Sequence, residues 1–224
     1  MRDEIPRPPA QLMLAVTANE GAQVRLARGL TAAPIASVII SPPSGEALSA
    51  AAVRPLIACG QEAGAAMLIE SDGELARTLR ADGVHLPVTD KASAAFEAAR
   101  AWLGGRAIIG ADAGRSRDDA MALGELGADY VAFGIPEFVK RREEAQERQI
   151  ELVGWWAEIF EVPVVAMNVR DVTAVRQLVL AGADFVCITV PGDGEDDAAI
   201  DWIASAGAAL EESNRAYAAA MARE

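Results

Sequence analysis

The chain has 224 residues, 52% of them hydrophobic and 24% charged, and this length favours one domain with a large core. Its 33 acidic residues outnumber its 20 basic residues, so the net charge of −13 argues against a free-standing nucleic-acid-binding protein. The same excess of acids argues against adsorption to an anionic membrane. We therefore expect a protein that handles a small molecule, without a nucleic-acid or membrane partner.

Residues 1–10 are predicted to form an extended lead-in, because three prolines stand among them. They contain no apolar run of the signal-peptide type, and two cysteines, Cys59 and Cys187, are too few for a disulfide framework. Both features favour a cytoplasmic location. Residues 11–224 are interpreted as a single domain.

Short apolar runs recur along the chain, and an alanine-rich segment of helical character follows each of them. Such runs are typical of strands buried on both faces of a parallel sheet, and they predict strands at 12–16, 35–40, 65–69, 83–86, 107–111, 130–133, 162–167 and 185–189. Eight strands alternating with helices predict a (β/α)8 TIM barrel. An open doubly wound sheet is the alternative, but no G-x-G-x-x-G opens a helix after the first strand to favour it.

Three helix-to-strand turns share a short motif in which an aspartate precedes the strand. These residues, Asp82, Asp129 and Asp184, are expected to accept hydrogen bonds from backbone amides in the turn. Gly127 and Gly182 stand where the preceding helices should end. In a barrel such turns lie on the face opposite the active site, so we interpret the aspartates as structural.

Four framework segments carry a resemblance to a known family. Ala-Asp-Gly-Val-His-Leu at 81–86, Ile-Ile-Gly at 108–110, Gly-Ala-Asp-Tyr-Val at 127–131 and Val-Pro-Val-Val-Ala at 162–166 resemble the thiamine phosphate synthase family, which includes its relative, the thiazole tautomerase. The resemblance extends from about Leu12 to Thr189. It implies a TIM barrel that joins a pyrimidine pyrophosphate to a thiazole phosphate and releases pyrophosphate, with Mg²⁺ as the cofactor.

The predicted strand ends depart from the pattern that this resemblance implies. A charged segment is replaced by Ser-Pro-Pro at 41–43, a metal-binding Asn-Asp pair by Glu-Ser at 70–71, and a phosphate-binding glycine pair by Asn-Val at 168–169. A serine near the pyrophosphate is replaced by Asp112, which puts an acid where an anion should sit. Because these groups would stabilise the departing pyrophosphate, we expect slow or absent synthase activity.

The remaining acids and the single histidine suggest two kinds of chemistry. His85 is predicted near the end of the fourth strand, as an acid–base catalyst or, alternatively, as a hydrogen-bonded packing residue. Asp90 and Glu70 are the predicted Mg²⁺ ligands and are expected to approach His85 and Asp112 at the barrel mouth. If these acids converge without metal, like-charge repulsion should raise the pKa of one of them; alternatively they are separate, solvated acids.

A small-molecule ligand is predicted to bind at the carboxyl ends of the strands, through Asp112, Lys140, Asn168 and Arg170. Lys140 opens the one basic cluster, but acids alternate with it through residue 148, so a solvated helix with ion pairs is the alternative. The glycine-bearing segment 192–197 either binds phosphate or supplies acids that cap a helix. Of Trp155 and Trp156, one is assigned to the core and the other to an interface in a homo-oligomer.

Two functional hypotheses remain open. The first is an enzyme of the thiamine phosphate synthase family with altered or weak activity. The second is a non-catalytic barrel that binds a small molecule or a partner protein.

Overall fold

The strands form where the sequence places its apolar runs. The computed structural model describes residues 7–136, 138–192 and 196–221, and every predicted strand is present with ends displaced by two residues at most. The strands are β1 (Gln11–Thr17), β2 (Ile35–Ser41), β3 (Ala66–Glu70), β4 (Gly83–Leu86), β5 (Ile108–Asp112), β6 (Tyr130–Gly134), β7 (Val164–Val169) and β8 (Phe185–Val190). The helices are α1 (Ala22–Ala32), α2 (Ala50–Glu62), α3 (Gly73–Leu79), α4 (Ala92–Leu103), α5 (Arg117–Glu125), α6 (Arg142–Ile159), α7 (Val172–Ala181) and α8 (Asp196–Met221).

Parallel pairing closes the sheet into a barrel. Each strand pairs with the next one along the chain, and β8 pairs with β1. The predicted TIM barrel is thereby confirmed, and the open doubly wound sheet is excluded. Within the described residues no helix is both long and apolar enough to cross a membrane.

Alternate strand residues face two different apolar layers. Val84, Ile109 and Val131 pack between the sheet and the helices, whereas Leu68 and Val165 belong to the cluster that fills the barrel interior. Because side chains alternate along a strand, the last residues of β3 and β5 also face inward. The same alternation directs His85 of β4 into the interior.

The three turn aspartates all make the same contact at the amino end of the barrel. Each carboxylate accepts a hydrogen bond of 2.8 Å from a backbone N–H of the strand before its helix: Asp82 from Met67, Asp129 from Ile109 and Asp184 from Val164. The backbone N–H of each aspartate donates in return to the carbonyl of that same residue. The structural role predicted for these aspartates is confirmed. Gly127 and Gly182 follow α5 and α7 with φ of 85° and 108°, as predicted for helix ends.

The lead-in is attached to the helices beside it. The backbone of Ala10 exchanges two 2.9 Å hydrogen bonds with the side chain of Asn214 in α8. The guanidinium of Arg7 donates to the carbonyl of Ala157 in α6. Residues 7–10 form neither helix nor strand, and the predicted extension of residues 1–6 lies outside the described part of the chain.

The two tryptophans of α6 divide between core and surface. Trp156 is fully buried, and its indole N–H donates to the carbonyl of Val162 at 2.7 Å. Trp155 is half-buried, with its ring against Phe160 and the guanidinium of Arg117 over its face. The core assignment is confirmed for Trp156, while a homo-oligomer through Trp155 stays a prediction.

Candidate functional site

A buried carboxylate stands at the carboxyl end of β5. Asp112 is only 8% exposed, and its Oδ1 accepts a hydrogen bond of 2.7 Å from the N–H of Gly114. The N–H of Gly134 at the end of β6 is a second donor. A Cβ at Gly134 would lie 2.6 Å from Asp112 Oδ2, so the absence of a side chain there makes room for the carboxylate.

Burial raises the pKa of Asp112 to about 6, and the two backbone donors partly oppose the rise. Like-charge repulsion is expected to raise the pKa of a mouth acid only if the acids converge, whereas the rise at Asp112 comes from desolvation. A carboxyl group with this pKa can change its protonation state near neutral pH.

His85 lies inside the barrel, next to a tyrosine that the sequence analysis did not single out. His85 Nδ1 and the Tyr130 hydroxyl share a hydrogen bond of 2.9 Å, and the two rings are stacked with centroids 5.9 Å apart. The ring of Tyr130 packs directly against Gly110 of β5, and a Cβ at Gly110 would lie 1.8 Å from Tyr130 Cζ. Glycine in the Ile-Ile-Gly segment is therefore required for this contact.

The interior side chains around this pair are uncharged near neutral pH. Burial lowers the pKa of His85 to about 4, so the imidazole is neutral. Burial, with a smaller contribution from Asp112, raises the pKa of the Cys187 thiol to about 12. The pKa of Tyr130 is likewise raised, first by burial and then by Cys187 and Asp112. With 2% of its surface exposed, His85 matches the packing alternative better than a residue that touches substrate; its catalytic role stays a prediction.

The two predicted metal ligands stand on neighbouring strand ends with different exposure. Glu70 is half-buried at the end of β3, and its Oε2 accepts a hydrogen bond of 2.7 Å from the Ser41 hydroxyl of β2. Asp90 is exposed in the β4–α4 loop. Among the described residues no three His, Cys, Asp or Glu side chains approach closely enough to hold a metal ion, so Glu70, Asp90 and Asp112 do not form a three-carboxylate metal site. Whether Glu70 and Asp90 bind Mg²⁺ stays a prediction.

The end of β7 contains an irregularity at the predicted ligand-binding residue Asn168. The register with β8 shifts between Ala166 and Val169, which places one additional residue in β7. Asn168 adopts a left-handed conformation with φ of 59°, a region that favours glycine and, among other residues, asparagine. Its side-chain amide donates to the carbonyl of Ile135 at 3.3 Å. The asparagine thus has a backbone conformation typical of glycine.

The basic residues of the mouth are exposed and lie after β6 and β7. Lys140 and Arg170 are both exposed. In α6 and just before it, Arg141 pairs with Glu144 at 3.0 Å and Arg148 with Glu151 at 2.8 Å. These pairs show that part of the charged run forms ion pairs within the helix, as the alternative expects. Binding by Lys140 and Arg170 stays a prediction, and the centre of the 192–197 segment lies outside the described residues.

The sequence analysis also missed a buried amide on α6. Gln149 is 3% exposed, and its Nε2 donates to the carbonyls of Phe133 at 2.7 Å and Met167 at 2.8 Å. The signal was a polar residue within the apolar stripe of an amphipathic helix. The high charge of this helix concealed that stripe.

Two comparisons of the sequence with known proteins indicate the same family. Residues 15–190 match the family model described as thiamine monophosphate synthase. A thiamine-phosphate synthase from Hyphomonas neptunium is 44% identical over 132 residues, which are 59% of this chain and 58% of the relative. Another from Erythrobacter litoralis is 38% identical over 138 residues, 60% of this chain and 63% of the relative. The matched segment thus spans 58–63% of the length of these curated relatives.

A solved structure supports the fold over a longer part of the chain. The thiamine phosphate pyrophosphorylase from Pyrococcus furiosus superposes with a TM-score of 0.73 at 20% identity, covering 91% of this chain and 96% of that one. At this identity the likeness concerns the fold alone.

Proposed function

Because the chain belongs to the thiamine monophosphate synthase family, we propose that its barrel mouth binds small molecules of thiamine biosynthesis but forms thiamine phosphate slowly or not at all. The observation that carries this proposal is Asp112, a buried carboxylate at the end of β5. A carboxylate there opposes the charge that develops on a departing pyrophosphate. Active relatives need cations and amide donors at such a site, so an acid lowers the rate.

The charge around the mouth is divided. Glu70 and Asp112 end β3 and β5 and Asp90 lies in the loop after β4, whereas Lys140 and Arg170 follow β6 and β7. This division supports a ligand whose anionic group faces β6 and β7 and whose neutral or cationic part faces β3–β5. A thiazole phosphate has this character, and a pyrimidine pyrophosphate has it less, since it carries more negative charge.

The carboxylates at the acidic side of the mouth are ligands of the kind that Mg²⁺ prefers. Mg²⁺ binds through one or two carboxylates together with phosphate oxygens and water, and Glu70 and Asp90 would supply the two carboxylates. When bound, the ion would neutralise part of the charge of a phosphate ligand. Ser41 orients Glu70 through its hydrogen bond, and Asp90 remains accessible in its loop.

A non-catalytic barrel is the second candidate, and the state of the interior favours it. His85, Tyr130 and Cys187 are buried and neutral, so none of them can reach a ligand at the mouth without movement of their neighbours. Asp112 is then the buried titratable group best placed to act on a ligand. If it transfers no proton, the site only binds.

The test is an assay for thiamine phosphate with Mg²⁺ and both substrates, beside the Hyphomonas neptunium relative. We expect turnover about 10²–10³-fold below that relative, which is the loss that removing one charge-stabilising group produces. Asp112→Ser should raise turnover, because it removes the opposing charge, whereas Asp118→Ser in the first turn of α5 should not. Turnover within tenfold of the relative would refute slow synthesis. Failure to bind thiazole phosphate would refute the binding site.

A further inference from the structure

One side chain breaks the apolar stripe of α6. The buried face of this helix consists of Ala145, Gln149, Leu152, Val153 and Trp156. A primary amide in this row loses hydration on folding, and such a group is tolerated only where hydrogen bonds replace the water. Gln149 has these bonds: its amide donates to one carbonyl in β6 and to one in β7.

The carbonyl in β7 belongs to the bulge. The additional residue of a bulge leaves backbone groups without partners in the ladder. Between Ala166 and Val169, where the register with β8 shifts, lie Met167 and Asn168. Both of their carbonyls accept from α6: Met167 from Gln149 at 2.8 Å and Asn168 from Arg142 at 3.3 Å.

The spacing of the two donors explains why one helix can supply both. Gln149 follows Arg142 by seven residues, about two turns, which places both side chains on the same face. The second bond of the Gln149 amide, to Phe133, fixes the end of β6 as well. Gln149 therefore joins the ends of two neighbouring strands at the basic side of the mouth.

We infer that Gln149 is a positioning residue, which holds the β7 bulge and the left-handed backbone of Asn168 in the geometry that the ligand-binding mouth requires. A non-glycine residue in this conformation is strained, so surrounding contacts must hold it. The bonds from α6 to both bulge carbonyls provide that constraint. A glycine at position 168 would adopt the same backbone without it.

This difference between asparagine and glycine gives the test. Gln149→Met keeps the length and bulk of the side chain but removes both donors, and Gln146→Met is the matched control. Gln146 is half-buried outside the buried stripe of α6, and its amide donates to Gln177 of α7 at 3.0 Å. Each variant is made in the natural chain and again with Asn168→Gly. Urea denaturation and titration with thiazole phosphate are measured on all of them.

We expect Gln149→Met to raise the unfolding constant about tenfold and to weaken thiazole phosphate binding by a similar factor. In the Gln149→Met protein, Asn168→Gly should restore at least about half of the lost stability and half of the lost affinity for thiazole phosphate, both on a logarithmic scale. A double-mutant cycle detects this coupling between the two positions. Gln146→Met should change neither quantity by more than about twofold. The affinity measurement rests on the proposed function, whereas the denaturation cycle does not.

Each alternative result bears on the inference. If Gln149→Met lowers stability but the folded protein binds thiazole phosphate with unchanged affinity, Gln149 is only a structural residue and the inference fails. Additive effects of Gln149→Met and Asn168→Gly on the unfolding constant overturn it as well. If the natural chain does not bind thiazole phosphate, the proposed function and the ligand-positioning role fail together, and coupling in denaturation alone then assigns Gln149 to the bulge without a role in binding.

Discussion

The two ends of the barrel are built differently. At the amino end, Asp82, Asp129 and Asp184 each repeat one contact with the strand before the helix, at the same 2.8 Å distance. At the carboxyl end the strands that we describe end differently: β5 ends in a buried acid with two backbone donors, and β7 ends in a bulge. The repeated contact supports the fold, and the irregular end has the features of a binding site.

The difference shows how one family can keep its barrel while its chemistry changes. The amino-end turns require only an aspartate and a strand, so they are independent of any ligand. The mouth depends on single residues, such as Gly134, whose lack of a side chain makes room for the Asp112 carboxylate. Changes at the amino end should therefore alter stability alone, and changes at the mouth should alter binding.

The largest effect is expected in the interior layer that separates the two ends. Gly110→Ala would place a methyl group within bonding distance of the Tyr130 ring, which must move and lose its bond to His85. We expect a loss of about 3 kcal/mol or more in the free energy of unfolding. Gly105→Ala is the control, since a Cβ there meets nothing within 4 Å. Equal urea midpoints for the two variants would contradict the packing described for Tyr130.

A second effect of similar size concerns pH and the two buried ionisable groups near the mouth. Asp112 has its pKa raised to about 6, so its contribution to stability is present below about pH 4 and is lost as the pH rises through 6. His85 has its pKa lowered to about 4, so its contribution is present above about pH 6.5 and is lost as the pH falls through 4. Each shift corresponds to about 3 kcal/mol with opposite sign, and the two nearly cancel in the natural chain.

Single substitutions separate these opposing contributions. Relative to the natural chain, the free energy of unfolding of Asp112→Asn should rise with pH between about 4 and 6.5, because only the His85 contribution remains. For His85→Gln the difference should fall over the same range. Thermal or urea denaturation at several pH values, with Asp118→Asn as a surface control, measures both slopes. Parallel pH profiles for the two variants would show that burial does not shift these groups as described.

A smaller effect is expected from the amino end. Asp184→Ala removes the acceptor for the Val164 N–H and should cost about 1–3 kcal/mol, while Asp184→Asn keeps an oxygen and should cost less. Affinity for thiazole phosphate should stay the same in the folded protein, since the contact lies at the far end of the barrel. Denaturation measures the loss of stability, and titration of the same samples measures the affinity for thiazole phosphate. A change in affinity would contradict the separation of a structural amino end from a ligand-binding carboxyl end.

Much of the barrel could be predicted from the sequence, because its signals are local and repeated. Apolar runs gave the strands within two residues, and the aspartates before β4, β6 and β8 indicated their own hydrogen bonds. The position of Asp112 at a strand end followed from the same pattern. Such features repeat from one strand and helix to the next, so the sequence signals them several times.

The arrangement of the mouth could not be predicted, because each of its contacts occurs once and follows no repeated motif. Gln149 bonds to Phe133 and Met167, which are 16 and 18 residues away, and Tyr130 bonds to His85, 45 residues away. The raised pKa of Asp112 could not be predicted either, because burial causes it. The sequence shows the charge of a residue but not how completely the fold removes it from water.

Substitutions at the exposed basic side of the mouth should have the smallest effect on stability but a measurable effect on ligand binding. Lys140→Ala removes a solvated charge and should change the free energy of unfolding by less than about 0.5 kcal/mol. It should nevertheless weaken thiazole phosphate binding about two- to fivefold at low salt, since an exposed cation attracts an anionic ligand through a screened field.

Lys91→Ala is a matched control, because Lys91 also lies at the mouth but beside the acidic strand ends. Because screening grows with ionic strength, the difference between the two lysine variants should shrink at high salt, and a difference that persists there would point to a direct contact with Lys140. Equal affinities for the two variants at low salt would show that the mouth has no electrostatic division.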